Sequence, residues 1–209
     1  MTQPVANCPN CGAKITFRWS SSVQTVCEFC KSILIRTDLD LQRVGNVADL
    51  PPNSSPVQIG SEGMFGKRSF AVTGRIIYEY DQGNWNEWHF FTNDGTSGWL
   101  SDAQLNYAVT FAAQVPNLPR ECVIGEPYTW NGETYVVSTI TKAHYRGVEG
   151  ELPFQYWDKS DVVFVDLMSP AEKFATIDYS EDPPLLFLGE WVDFEDLHLT
   201  NLRSFEGWS

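Results

Sequence analysis

Four of the five cysteines form two pairs whose spacing is typical of a zinc site. Cys8 and Cys11 make the first C-x-x-C pair, and Cys27 and Cys30 make the second. The full pattern, C-x2-C-x15-C-x2-C, lies within the range known for zinc bound by two such pairs. Four thiolates arranged as a tetrahedron suit Zn2+ and leave no position for water or substrate. The sequence therefore predicts one structural zinc ion and no zinc-catalysed hydrolysis.

Two disulfide bonds or an iron–sulfur cluster are the alternatives for these cysteines. The remaining Cys122 stands alone, which fits a reducing compartment better than a secreted disulfide framework. No stretch approaches the roughly 18 to 20 apolar residues of a membrane span, and the N-terminus does not resemble a signal peptide. We therefore expect a reduced, zinc-bound protein in the cytoplasm.

A second group of residues combines aromatic rings with carboxylates. Tryptophan faces beside a carboxylate suit a cationic ligand, and neighbouring carboxylates are the usual pair for acid–base work. The candidate ligand or partner surface comprises Trp85, Glu87, Trp88, Trp99, Glu149 and Glu151. The alternative is that the tryptophans pack in the core and the glutamates are solvated loop charges. Nothing in the sequence shows that these carboxylates converge.

No residues match a motif for nucleophilic or metal-assisted catalysis. His89, His144 and His198 are the only histidines, and they are widely separated along the chain. None has the H-x-x-x-H spacing or the nucleophile context of known catalytic motifs. Cys122 is expected to pack as a small apolar side chain. The sequence predicts no catalytic residues and favours a binding protein over an enzyme.

The charge is acidic and unevenly distributed. The formal net charge is -13, but residues 1–45 hold five basic and three acidic residues. The remainder of the chain is therefore strongly negative and repels phosphate backbones and anionic lipid surfaces. This disfavours nucleic acid as a partner and favours proteins or small cations.

The N-terminal segment has the pattern of a zinc ribbon. Residues 15–19 alternate in polarity, residues 20–22 form a serine turn, and residues 23–26 lead back to Cys27, which predicts a β-hairpin between the two cysteine pairs. Residues 32–36 supply a third strand. We assign residues 1–37 to the ribbon, residues 38–57, which are rich in turn formers, to a linker, and residues 58–209 to a β-rich body.

The body contains a weak internal repeat with a shift of 65 positions. Ile59-Gly60 aligns with Ile124-Gly125, and Tyr80 aligns with Tyr145. The repeat predicts two related antiparallel β-units, at about 58–115 and 120–209, that form a small barrel or a sandwich. In the second unit we expect strands at 134–140, 143–148, 161–167 and 174–179. Helix is expected only around 101–106 and 193–199, so the fold class is mostly β.

From the linker onward the chain resembles the bacterial family called domain of unknown function 4178, in the form preceded by a zinc ribbon. The matching segments are LPP at 50–52, SPVQIG at 55–60, GRI at 74–76, WNEW at 85–88, DG at 94–95, GWL at 98–100, VEGELP at 148–153 and FATIDYSE at 174–181. The resemblance implies no established activity and no catalytic residues. It implies an accessory role, because members are similar in lying near genes for membrane-stress proteins and polyamine-synthase-like enzymes.

Two functions follow as expectations. The first is a non-enzymatic protein-interaction or accessory module with a structural zinc, linked to a membrane-stress assembly. The alternative is a small-ligand protein or enzyme that binds a cation such as a polyamine in an acidic, aromatic cleft between the two β-units.

Overall fold

The computed structural model describes residues 5–37, 40–47, 50, 55–115, 117–156 and 161–204. Within these residues the only helical segment is a single 3-10 turn, Glu195–Leu197. None of the described segments forms a helix with the length and apolarity needed to cross a lipid bilayer.

Fifteen strands make up the rest of the regular structure of the described ranges. In chain order they are β1 Val5–Asn7, β2 Lys14–Thr16, β3 Gln24–Val26, β4 Ser32–Arg36, β5 Leu41–Asn46, β6 Glu62–Phe65, β7 Arg68–Tyr80, β8 Gly83–Thr92, β9 Ser97–Ala103, β10 Asn106–Ala113, β11 Pro127–Trp130, β12 Glu133–Leu152, β13 Asp161–Met168, β14 Lys173–Asp178 and β15 Leu185–Val192. All pairings between them are antiparallel. The mostly-β prediction is confirmed.

The predicted hairpin between the two cysteine pairs is wrong. β2 pairs with β1, and β3 pairs with β4. Each C-x-x-C turn joins the two strands that flank it: Cys8 N–H donates to Ala13 O at 2.8 Å, and Cys27 N–H donates to Ser32 O at 2.9 Å. The hairpins therefore form across the cysteine pairs, because the closest strands along the chain are the first to meet.

The ribbon is hydrogen-bonded to the rest of the chain. β3 pairs with the end of β12 through Thr25–Glu151 and Gln24–Leu152, so the ribbon strands continue the sheet of the body. β5 lies within the range predicted as a linker and pairs with β4. The predicted boundaries of ribbon, linker and body remain predictions.

Eight strands of the body form a closed ring. Their order around the ring is β7, β8, β9, β10, β15, β14, β13 and β12, and β12 pairs again with β7. β6 and β11 are short strands attached to β7 and β12. Each of these eight strands pairs with a neighbour on both sides, so the paired residues leave no free strand edge, as in a barrel.

The two halves of the ring are related by the 65-residue repeat. Gly60 N–H donates to Val72 O at 2.9 Å, and the equivalent Gly125 N–H donates to Val137 O, also at 2.9 Å. The register shift that follows Val72 in the β7–β8 pair recurs after Val137 in the β12–β13 pair. The repeat therefore describes two related β-units, as predicted from the sequence.

Several predicted elements differ from the structure. The strands expected at 134–140 and 143–148 are parts of one strand, β12, because nothing in residues 140–143 interrupts the extended backbone. The helix expected around 101–106 is wrong, since β9 and β10 meet there in a turn. β15 was not predicted, although it lies between β10 and β14, because the prolines before it pointed to a loop.

Apolar cores lie on both sides of the ring wall. Trp88 and Leu100 belong to a core on the outer face of the first unit, and Val165 and Leu167 to a core on the outer face of the second. Burying a side chain of this size contributes about 1.5–3 kcal/mol. Side chains at alternate positions point into the ring, and these positions include Trp85, Glu87 and Trp99.

Candidate functional sites in the ribbon and the ring

The four predicted metal ligands meet at one point. The sulfur atoms of Cys8, Cys11, Cys27 and Cys30 all lie within 4.8 Å of one another. Two of the distances, Cys8 Sγ to Cys30 Sγ and Cys11 Sγ to Cys27 Sγ, are 3.7 Å. A tetrahedral site with metal–sulfur bonds of about 2.3 Å has sulfur–sulfur edges of about 3.8 Å. The cluster could therefore hold a metal ion.

Similar local geometry builds both halves of the cluster. Gly12 N–H donates to Cys8 O at 2.8 Å, and Lys31 N–H donates to Cys27 O at 2.9 Å. Both donors lie just after a cysteine pair and have positive φ, 76° for Gly12 and 56° for Lys31. Each turn thus brings two sulfurs to the same side of its backbone. Because these contacts are local, the sequence could predict them.

The sulfur geometry does not match two disulfide bonds. A disulfide requires a sulfur–sulfur distance of about 2.05 Å, and all five cysteines are free thiols here. Cys122 lies elsewhere, half-buried against the outer core of the second unit, with its sulfur 3.4 Å from the Tyr179 hydroxyl. It takes no part in the cluster.

Glu151 holds the ribbon against the body. Its buried carboxylate accepts hydrogen bonds from the backbone N–H of Arg18 at 2.8 Å and of Trp19 at 3.3 Å, and from Ser22 Oγ at 2.6 Å. Three donors leave this carboxylate little capacity for a ligand. Glu151 also lines the groove described below, so its place in a ligand or partner surface stays a prediction; its hydrogen-bond partners are 129 to 133 residues away in the chain, and the sequence alone could not reveal them.

The side chains of Glu149 and Trp88 both contact Arg75. Arg75 is buried, places its guanidinium 4.9 Å from the centre of the Trp88 ring and forms an ion pair with Glu149 at 2.8 Å. Burial lowers the pKa of Arg75, while the Glu149 carboxylate opposes that shift. Trp88 is fully buried on the outer face of β8, opposite to Glu87, because side chains alternate along a strand. Neither residue joins Glu87 in one pocket.

A groove of about 780 Å³ lies between the ribbon and the body. It runs between β2 and the 148–151 part of β12, and its lining includes the three basic residues Lys14, Arg18 and Lys31. Phe29, which lies between the second pair of cysteines, also lines it and is 76% exposed. The sequence signal for this groove was the excess of basic over acidic residues in the N-terminal 45 residues. Its location could not be predicted without the docking of the ribbon.

The remaining candidates, Trp85, Glu87 and Trp99, point into the ring. Glu87 accepts hydrogen bonds from Trp85 Nε1 at 2.9 Å and from Ser101 Oγ at 2.7 Å. The Trp85 ring lies 5.5 Å from that of Phe164, although their strands, β8 and β13, belong to different halves of the ring. This contact shows that these side chains meet inside the ring.

Two further carboxylates face Glu87 from the second unit. Burial raises the pKa of Glu87 to about 8, and the charges of Asp166 and Asp178 add to that shift. Burial also raises the pKa of Asp166 to about 6. Glu87 and Asp166 nevertheless keep some accessible surface, as do Trp85 and Trp99. The part of the inner face that these four side chains form is called the ring chamber below.

The sequence did not predict that Asp166 would take part, and although Asp178 was a candidate for a carboxylate pair, nothing in the sequence showed that it would meet Glu87. Their positions carried a signal, since Asp166 lies between the buried Val165 and Leu167, and Asp178 directly follows the buried Ile177. Meeting Glu87 requires strands about 80 to 90 residues apart to close the ring, which the pattern does not show.

The comparisons with known proteins give a family and no relative of known activity. The family model described as a domain of unknown function, DUF4178, matches residues 58–194. This chain belongs to the DUF4178 family. No curated protein and no solved structure matches it. The matched segment covers both β-units of the ring, while the cysteine cluster lies outside it.

Two histidines of this DUF4178 protein have polar partners within the fold. His89 is fully buried, with Nδ1 2.7 Å from Thr73 Oγ1 and Nε2 2.7 Å from Ser97 Oγ. Burial lowers the pKa of His89 to about 3, so its ring is neutral at physiological pH. His144 forms an exposed pair with Asp161 at 3.2 Å. Both histidines have structural partners.

The raised pKa of Glu87 in the DUF4178 ring predicts that the protein loses stability as the pH rises. A carboxyl with a pKa of about 4.3 in the unfolded chain and about 8 in the folded protein keeps its proton only when folded. The free energy of unfolding should therefore fall as pH rises from about 4.3 to 8. The Glu87→Gln variant should not lose stability in this range. Its free energy of unfolding at pH 8 should exceed that of the wild type by at least about 1 kcal/mol.

Urea unfolding of both proteins at pH 5.5, 7 and 8.5 measures this difference. The Glu87→Gln advantage should grow with pH and then level off above pH 8, near the folded pKa of Glu87. Asp166 titrates in both proteins, and because its charge acts on Glu87, the difference between the two proteins reports Glu87 together with that coupling. Parallel stability curves for the two proteins would contradict a protonated Glu87.

Proposed function

We propose that this protein is a non-enzymatic protein-interaction module whose ribbon is held together by one structural zinc ion. The observation that carries the proposal is the groove between ribbon and body, with the exposed Phe29 beside it. Exposed aromatic residues at the edge of a concave surface are typical anchors of protein interfaces. A cluster whose four cysteines are all potential ligands offers no open metal position, which supports a structural role.

Zinc is the metal that the donor set favours. Four thiolates at tetrahedral distances suit Zn2+, and zinc needs no redox partner. In ribbon modules of this size, zinc binding of about 10 to 16 kcal/mol provides folding energy that a small apolar core cannot supply. Cys8, Cys11, Cys27 and Cys30 would hold the ion, which would keep β2 and β3 at the walls of the groove.

Metal analysis tests the zinc proposal directly. Purified protein should contain about one zinc per chain, and a strong chelator should unfold the ribbon while the ring keeps its strand signal in circular dichroism. Cys11→Ser should lower zinc content, whereas Cys122→Ser should leave it unchanged. Metal-free protein with four titratable thiols and an unaltered fold would contradict this proposal.

We further propose that the partner is a protein in the cytoplasm, at a membrane-stress assembly. None of the five cysteines forms a disulfide bond, which supports a reducing compartment. The resemblance to a family found near membrane-stress genes supports the assembly. An acidic body, with a net charge of -13 for the chain, supports an interaction with proteins in preference to nucleic acid.

Affinity capture from native cells tests the interaction. Phe29→Ala should abolish recovery of the partner that the wild type captures, because Phe29 is 76% exposed and has no structural role in the core. Leu105→Ala is the matched control: Leu105 is 72% exposed at the β9–β10 turn, far along the chain from the groove residues. Equal recovery by both variants, or no reproducible partner, would contradict docking at the groove.

A second function is supported by the ring chamber. Glu87, Asp166 and Asp178 place three carboxylates beside the rings of Trp85 and Trp99. Carboxylates and aromatic faces together favour a small organic cation, such as a polyamine. Binding of a cation would also offset the cost of burying the Glu87 and Asp166 carboxylates. The chamber would act as a small-ligand site between the two β-units.

A thermal-shift series with spermidine and related polyamines tests this second function. A ligand at 100 times its dissociation constant stabilises the folded state by about 2.7 kcal/mol. Spermidine should therefore raise the melting temperature of the wild type but not that of Asp166→Asn. Asp81→Asn, at an exposed turn, is the matched control. Equal shifts for all three proteins, or none at all, would exclude a polyamine in the chamber.

A further inference from the structure

The groove is lined by a strand edge that has no partner among the described residues. β2 forms a two-stranded sheet with β1 only, so its other edge carries unpaired backbone groups. Lys14, Ile15 and Thr16, which make up β2, all line the groove. A free edge of this kind is a template for an additional strand from another chain.

The opposite wall of the groove is also extended backbone. β3 and β12 pair only through residues 24–25 and 151–152, and residues 148–150 of β12 then continue along the groove. The volume of about 780 Å³ lies within the range of about 300–1,000 Å³ that is usual for binding pockets. A groove bounded by two strands fits an extended segment better than a helix, which is about 10 Å wide.

The charges in the groove favour an acidic occupant. Lys14, Arg18 and Lys31 are exposed, and none forms an ion pair within the described part of the chain. Of the carboxylates nearby, Glu149 pairs with Arg75 and Glu151 accepts three hydrogen bonds from the ribbon. The neutral donors do not cancel the charge of Glu151, so Glu28 and Glu151 offset two of the three cations and the groove keeps an excess of one positive charge on an otherwise acidic protein.

We propose that the groove binds an extended, acidic segment of a partner protein, which adds to β2 as a third strand. This inference rests on the proposed protein-interaction function and names the chemistry of the partner. Acidic side chains of the segment meet Lys14, Arg18 and Lys31, and an apolar side chain packs on Phe29. Backbone hydrogen bonds to Lys14–Thr16 set the direction of the segment.

A nucleic acid is the other polyanion that a positive groove could attract. Its affinity depends on many phosphate contacts along a long backbone, and the groove offers three cations. The rest of the surface is acidic and repels an extended polyanion. A short peptide avoids that repulsion because its charge ends within the groove.

The experiment uses the full, zinc-loaded chain and two pools of eight-residue peptides. One pool alternates Asp or Glu with apolar residues, and the other replaces the acids with Lys. The acidic pool should be enriched on the protein, and the best peptide should bind with an affinity that falls as salt rises. Hydrogen exchange should show that it protects the amides of Lys14–Thr16.

Charge variants locate the binding site. Lys14→Glu should weaken binding of the selected peptide about fivefold or more, while Lys14→Arg should stay within about twofold. Lys67→Glu is the matched control, because Lys67 is exposed in the β6–β7 turn and outside the groove. Zinc content confirms that each variant keeps its ribbon.

Three results would overturn this inference: no enrichment of the acidic pool, binding that Lys14→Glu leaves unchanged, or unprotected β2 amides in the complex. Tighter binding of a twelve-nucleotide single-stranded DNA than of the best peptide would identify a nucleic-acid site instead. If acidic peptides fail while Phe29→Ala still abolishes capture of a partner, the interaction function stands and only the partner chemistry is wrong.

Discussion

One strand of 20 residues, β12, carries the hydrogen bonds that join every part of this protein. Its first part pairs with β11 and β13, its middle with β7, and its last two residues with β3 of the ribbon. Register shifts after Val137 and after Tyr145 allow one strand to change partners along its length. Closure of the ring, contact between the two β-units and attachment of the ribbon all depend on this backbone.

The close approach of β7 to β12 restricts the side chains at their crossing. A Cβ atom at Gly74 would lie 2.3 Å from the backbone oxygen of Glu151, and one at Gly150 would lie 2.4 Å from that of Thr73. Glycine at both positions lets the strands pass where β12 leaves the ring and reaches the ribbon. Glu151 then lies beneath the ribbon, and its carboxylate binds backbone N–H groups of residues 18 and 19. The groove is a consequence of that docking.

The ring chamber carries an energetic cost. Acidic side chains without a counter-charge destabilise a folded protein, and a well-packed apolar interior would be more stable. The raised pKa of Glu87, about 8, is the direct consequence of that burial. An ion pair does not explain the burial of Glu87, since no basic side chain among the described residues pairs with it. Burial of this kind is typical of binding sites, where function outweighs stability.

The sequence by itself determined the features that depend on short segments of chain. Each cysteine pair lies in one turn, so its spacing predicted a common metal site. The repeat predicted two related units, and alternation along β8 already places Trp88 on the opposite face from Glu87. Only the tertiary structure decided which carboxylates meet. Glu87 faces Asp166 and Asp178 because the ring closes, and Glu151 meets the ribbon across more than 120 residues of chain. Contacts between such distant segments depend on strand order and register, which no local pattern encodes.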